Sequence, residues 1–281
     1  MAKLVWLVTG CSSGFGEILV QHILARGDYA IATARRLESI KHLEEAGAKI
    51  LQLDVTADQS ALDGVATEAI SLYGKIDVLV NNAGYVLAGA WEDIQYEQLV
   101  AQFETNVFGV FKATRAFLPH FRQKRAGTIV YISSLAGWHA DGFTGPYCAS
   151  KFALEGFVES LRDETESLGI KNLLVEPGRF RTHLLSPGNL KVGISKIPDY
   201  VKGSQAHADA LAASDRAQAG DPSKGVEVII DLVRGEGCAA NKTVPFRIPL
   251  GTDSYDTIKD KCDESLKLLE EWKPTIVSTD Y

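Results

Sequence analysis

Short apolar runs rich in β-branched residues alternate along the chain with longer stretches whose apolar positions recur at helical spacing. The runs at Leu4–Val8, Tyr29–Thr33, Lys49–Leu53, Ile76–Val80, Thr128–Ile132 and Asn172–Val175 read as strands. Between them, Phe15–Ala25, Ala61–Leu72, Tyr96–Lys124 and Tyr147–Leu168 read as helices. Strands that are hydrophobic on both faces and separated by helices predict a parallel sheet covered on each side, a doubly wound α/β fold. In such sheets a ligand binds beyond the carboxyl ends of the strands.

The last third of the chain is less regular. Thr182 to Gly220 interrupts the alternation with Pro187, Gly188, Gly193, Pro198 and Gly203, followed by the alanine-rich Ala206–Ala219. An insertion of this length beside an active face is expected to form a lid or a substrate wall. A helix at Val226–Val233, a short strand near Thr243–Ile248 and a charged helix at about Tyr255–Glu271 are expected to finish the chain. No repeat or linker divides it. A single domain over residues 1–281 is expected, with the insertion at about 182–220 and a terminal helix and tail at about 252–281.

Composition narrows the function. Hydrophobic content of 46% over 281 residues allows a substantial core. A net charge of −7 argues against nucleic acid or an anionic membrane as partner. Cys11, Cys148, Cys238 and Cys262 have neither CxxC nor metal-ligand spacing, so reduced thiols and no metal are expected. The apolar run at Leu4–Val8 is too short for a signal-peptide core, and no stretch approaches membrane-spanning length. A soluble, cytoplasmic protein is the expectation.

Candidate chemistry lies where strands end. After the first strand comes Thr9-Gly10-Cys11-Ser12-Ser13-Gly14-Phe15-Gly16. Glycines allow a tight turn and close approach to phosphate, and the following helix offers free N–H groups. The second strand ends Ala32-Thr33-Ala34-Arg35-Arg36, without the acidic residue that accepts from the ribose of NAD. A guanidinium there can pair with a 2′-phosphate, so NADP(H) is expected, with Arg35 and Arg36 as contacts. Asp54-Val55 ends the third strand and Asn81-Asn82-Ala83-Gly84 the fourth, as candidate adenine and ribose contacts.

Tyr147 and Lys151 stand at i and i+4 on one helix face, and Ser134 precedes Tyr147 by thirteen residues at the end of the fifth strand. A phenol is a weak base, but a neighbouring ammonium together with the positive ring of an oxidised nicotinamide favours its anion and should lower its pKa. Tyr147 then serves as general acid for carbonyl reduction or general base for alcohol oxidation, while Ser134 orients the reacting oxygen. Tyr85, Leu87, Trp138, His139, Phe143, Leu184 and the insertion are candidates to line a pocket for a small-molecule substrate of moderate size and mostly apolar character.

These motifs together resemble the short-chain dehydrogenase/reductase family, in its compact branch with a TGxxxGxG turn. The resemblance rests on Thr9–Gly16, Asp54-Val55, Asn81–Gly84, Asn106, Ser133-Ser134, Tyr147–Lys151 and Pro177-Gly178, within about residues 3–251. Steroid and retinol dehydrogenase-like members are similar in their Thr-Ala-Arg-Arg and Glu-Pro-Gly-x-Phe-x-Thr stretches. The resemblance implies a Rossmann-type fold and catalytic roles for Ser134, Tyr147, Lys151 and Asn106. Asn106 would hold a water linking Lys151 to solvent, and Lys151 would also bind the nicotinamide ribose. Thr182, following Pro177 and Gly178, would contact the nicotinamide amide. It further implies that the helices at Tyr96–Lys124 and Tyr147–Leu168 pack against a second copy, giving a homodimer or homotetramer. An NADP(H)-dependent oxidoreductase is the expected function. The alternatives are a nonredox isomerase or cyclase, and a nucleotide-sensing binding protein on the same scaffold.

Overall fold

The structure, a computed structural model, describes residues 2–281. Strands β1 (Val5–Val8), β2 (Tyr29–Ala34), β3 (Lys49–Gln52) and β4 (Val78–Asn81) come first. They are followed by β5 (Val86–Ala88), β6 (Gly127–Ile132), β7 (Ile170–Pro177), β8 (Leu190–Val192) and β9 (Arg247–Leu250). The helices are α1 (Gly14–Ala25), α2 (Lys41–Glu45), α3 (Gln59–Tyr73), α4 (Tyr96–Phe103) and α5 (Gly109–Lys124). Then come α6 (Gly145–Thr165), α7 (Pro198–Ser214), α8 (Pro222–Arg234) and α9 (Thr252–Val277).

Seven strands form one sheet in the order β3-β2-β1-β4-β6-β7-β9, and every pairing in it is parallel. Strand order reverses direction at β1/β4, which opens the crevice expected of a doubly wound sheet. Alternate residues face opposite layers. Trp6 and Val8 join α1, α2 and α8 in one core, while Val5 and Leu7 join α3, α5 and α6 in the other. The strands are therefore apolar throughout, as the sequence pattern requires.

Asp28 locks the start of β1. One carboxylate oxygen accepts from the Leu4 amide and the other from the Trp6 indole, each at 3.0 Å. Arg234, at the end of α8, reaches both oxygens at 2.7 Å. Asp28→Ala should cost about 2 kcal/mol, because the fully buried Trp6 indole N–H is left without an acceptor. Urea unfolding of the two proteins side by side measures it; equal midpoints would show that another acceptor takes over.

Three expectations from the sequence change. The helix expected from Tyr96 to Lys124 is broken by a π-helical turn at Glu104–Phe108. The short strand near Thr243 begins later, at Arg247, and the terminal helix runs on to Val277. A second, two-stranded parallel sheet joins β5 to β8. On the long helices expected to meet a second copy, Val107, Val110, Phe117 and Phe121 are buried within this subunit. Tyr96, Phe108, Phe111 and Phe152 are exposed aromatics there. No helix among the described residues is long and apolar enough to cross a membrane.

Candidate active site

A cleft of about 1130 Å³ opens across the carboxyl ends of the strands. One side of it is built around Gly10, whose backbone has φ +71° and whose Cβ, if present, would lie 2.8 Å from the Ala83 Cα. Only glycine satisfies both conditions. Thr9 and Asn82 lace the ends of β1 and β4 together. The Thr9 hydroxyl accepts from the Asn82 and Ala83 amides at 2.9 and 3.1 Å, and the Asn82 side chain donates to the Thr9 and Gly10 carbonyls. Behind them a Cβ on Gly16 would strike the Asn82 side chain and the Gly10 carbonyl, so this glycine lets α1 start directly behind the turn. The result is a cradle of backbone at the amino end of α1, shaped for a phosphate group.

Most residues singled out in the sequence converge on this cleft. Gly10, Ser12, Ser13, Gly14, Phe15, Arg35, Asp54, Val55, Asn82, Ala83 and Gly84 line its cradle side. Ser134, Tyr147, Lys151, Pro177, Gly178 and Thr182 line the other side. Asp54 is preoccupied with its own turn, accepting from the amide and hydroxyl of Thr56 at 2.9 and 2.8 Å. Arg35 and Arg36 are both exposed, and neither forms an ion pair among the described residues. They border a shallow hollow with Ser39 and Gln52, of which only Arg35 also faces the main cleft.

Three residues stand back from the cleft. Gly16 packs the turn, and Arg36 lies outside. Asn106 is buried in the π turn, where its side chain pairs with both backbone groups of Tyr85 and donates to the Ser150 hydroxyl at 3.2 Å. Ser150 in turn donates to the Tyr147 carbonyl at 2.7 Å. A π turn shifts the hydrogen-bond register of the helix and is a common feature of functional sites. The asparagine's own amide thus braces the helix that carries Tyr147.

On the chemical side, the hydroxyls of adjacent serines part company. Ser133 donates to the buried Glu155, whereas Ser134 stays in the cleft with its oxygen accepting from the Ala136 amide at 3.1 Å. Lys151 donates to the Ile132 carbonyl at 2.8 Å, and its Nζ lies 5.7 Å from the centre of the Tyr147 ring. Burial pushes the Tyr147 phenol up to about 12, with a hydrogen bond from Ser134 opposing it. Burial also pulls the Lys151 ammonium down to about 8, with the charge of Glu155 opposing it. For both groups desolvation is the largest influence. In this state Tyr147 is a protonated acid across the physiological range.

The insertion closes the far wall. Its stems are pinned where Arg181 donates to the Gly220 carbonyl at 2.9 Å and Gly220 donates to the Arg179 carbonyl at 3.1 Å. The β5–β8 pairing then draws Lys191 into the wall beside Tyr85, with its Nζ 4.6 Å from that ring. Tyr85, His139, Leu184, Leu185, Ala210 and Leu211 face the cleft, as do the polar Asp141, Arg179 and His207. Leu87, Trp138 and Phe143 do not line it. Leu87 is buried in β5, Trp138 stacks under Arg247, and Phe143 packs against His207 and Gly203.

Comparison with known proteins agrees with this geometry. Residues 4–192 match the family model described as short chain dehydrogenase. An uncharacterized oxidoreductase, YusZ, from Bacillus subtilis is 43% identical over 66% of this chain and 68% of its own length. A 3-ketodihydrosphingosine reductase from Bacteroides thetaiotaomicron is 35% identical over 89% of each chain. The crystal structure of a short-chain dehydrogenase from Streptomyces avermitilis superposes with a TM-score of 0.89 and 38% identity, covering 99% of both chains. The chain belongs to the short-chain dehydrogenase family and has its oxidoreductase fold. Two more distant structural neighbours, each 21% identical, share the fold; one is a complex with NAD and the other has NADP bound.

Proposed function

We propose that the protein is an NADP(H)-dependent oxidoreductase acting on a carbonyl or secondary alcohol of a moderately large, mostly apolar substrate. One observation carries this reading: a phenol, an ammonium and a hydroxyl converge on one wall of a cleft whose opposite end is a phosphate cradle. The turn at Gly10–Gly14 and the amino end of α1 would hold the pyrophosphate, with Asp54 and Val55 near the adenine. Arg35 would meet the 2′-phosphate, and Lys151 and Thr182 the nicotinamide end. The dinucleotide, when bound, supplies or accepts the hydride.

The chain's own groups handle the proton. In carbonyl reduction the Tyr147 hydroxyl donates to the substrate oxygen as negative charge develops there. Ser134 donates a hydrogen bond to that same oxygen and steadies it. The Lys151 ammonium then favours the phenolate left behind, in a site from which water is largely excluded. A high phenol pKa suits an acid that must still hold its proton when the substrate arrives. Leu184, Leu185 and Leu211 support an apolar substrate, and the Bacteroides relative is by name a ketone reductase.

The exposed Phe108, Phe111 and Phe152 support a dimer or tetramer through α5 and α6, and the free cysteines suit a cytoplasmic setting. Absorbance of the reduced nicotinamide, followed with a panel of apolar ketones and secondary alcohols, tests the reaction. NADPH should turn over with at least one class of ketone, and faster than NADH. Tight NADPH binding without turnover on any of them would point to a binding protein instead.

A further inference from the structure

Behind the proposed catalytic groups lies a buried carboxylate pair to which the reaction assigns no role. Glu155 extends the stripe of Tyr147 and Lys151 by one more turn on α6, and Glu176 is the penultimate residue of β7. Both are buried. Their one cationic partner is Arg247 of β9, whose Nη1 lies 3.5 Å from Glu155 and 3.4 Å from Glu176. Arg247 also pairs with the exposed Glu159. One oxygen of Glu155 accepts from Ser133, but its other oxygen and both of Glu176 lack a hydrogen-bond donor. The Trp138 indole favours the anion of Glu176 without completing a bond to it. Two buried carboxylates thus face a single shared guanidinium, and an unscreened second negative charge there is costly.

We propose that Glu155 and Glu176 share one proton and act together as positioning residues: their remaining charge supports the ammonium of Lys151, and Glu155 ties the Ser134 loop to α6. The inference rests on the hydride-transfer reading of the cleft. The tie is direct. Ser133 is bonded to Glu155, and a Cβ on Gly137 would lie 2.8 Å from the Glu155 Cγ, so the turn from Ser134 to Gly137 is moulded on this side chain. The groups facing Glu155 are Ser133 on β6, Lys151 and Glu159 on α6, Glu176 on β7 and Arg247 on β9. Burial raises both carboxyls, Glu155 to about 7; the charge of Glu176 raises Glu155 further, and Arg247 opposes the rise of each. Two such groups titrate as a pair. The charge of Glu155, one helical turn away, opposes the effect of burial on Lys151.

Lysine labelled with 15N at Nζ, assigned with Lys151→Arg, reports the Lys151 midpoint in the protein without turnover. Glu155→Gln combined with Glu176→Gln keeps an acceptor for Ser133 and removes the charge that either carboxylate alone would retain. Its Lys151 midpoint should fall by roughly half to one pH unit, about three- to tenfold in proton affinity. A midpoint within about 0.2 unit of the parent protein overturns the proposal. Should that variant not fold, Glu176→Gln decides. Relieved of its partner, Glu155 should titrate at least about one unit lower by its infrared carboxyl band, and an unmoved band overturns the pairing. In turnover the alkaline limb of carbonyl reduction should follow Lys151 downward in the double variant. If the parent protein reduces no ketone but the Lys151 midpoint still shifts, the hydride reading fails and the charge coupling stands, so the two failures are distinct.

Discussion

Replacing Tyr147 with Phe should lower turnover by about a thousandfold, within the range of a hundredfold to ten-thousandfold typical of a lost general acid. The substitution removes one oxygen and little else. The ring is buried in α6, and Phe fills the same volume without opening a cavity. Ser134 loses its partner but stays in contact with the cleft, so its own hydroxyl can rotate to other acceptors. Dinucleotide affinity should change less than about threefold, because the glycine turn, Asp54 and Arg35 lie on the opposite side. Stopped-flow turnover with the best substrate, alongside fluorescence titration of NADPH, separates these effects. Turnover within tenfold of the parent protein would transfer the acid role to another group. His207 and His139 would be the next candidates, since both face the cleft.

The architecture was readable in the sequence because its causes are local and periodic. Strands apolar on both faces and helices with one apolar face leave few ways to assemble, and the parallel order follows. The cradle was readable for a similar reason. Gly10 and Gly16 are demanded by a backbone angle and by close contacts that no other side chain permits. Asn82, by contrast, was legible as a site residue but not in its role, since its amide holds the turn together across 72 residues of sequence. The β5–β8 sheet was hidden because three-residue strands carry no periodicity of their own. The π turn was hidden as well, since the apolar spacing runs on through Glu104–Phe108 as in an ordinary helix. The ionisation balance was not legible for a related reason. Spacing brings Lys151 next to Tyr147, but desolvation decides which form each group adopts, and burial is a property of the whole fold. Glu155 could have been found, since it continues an i, i+4 stripe; its partners Glu176 and Arg247 come from distant strands.

Arg35→Asp should reverse the cofactor preference, lowering kcat/KM with NADPH by roughly a hundredfold while NADH changes by less than about threefold. Arg35 follows the carboxyl end of β2, faces both the cleft and the adjoining hollow, and has no carboxylate partner to compete for it. A charge-assisted bond to a phosphate contributes about 1.5–3 kcal/mol, and exposure to solvent keeps Arg35 toward the lower end. The aspartate adds repulsion against the 2′-phosphate and offers NADH an acceptor for its ribose hydroxyl, so loss and gain act on opposite cofactors. Arg36→Asp is the internal comparison. That residue lies outside the main cleft, and the effect of its substitution should be under tenfold. Equal effects at the two positions would mean that NADPH is drawn by the general positive potential of the hollow and not by one guanidinium. No change in preference for Arg35→Asp would leave the absence of an acid at the end of β2 without consequence, and the NADP assignment with it.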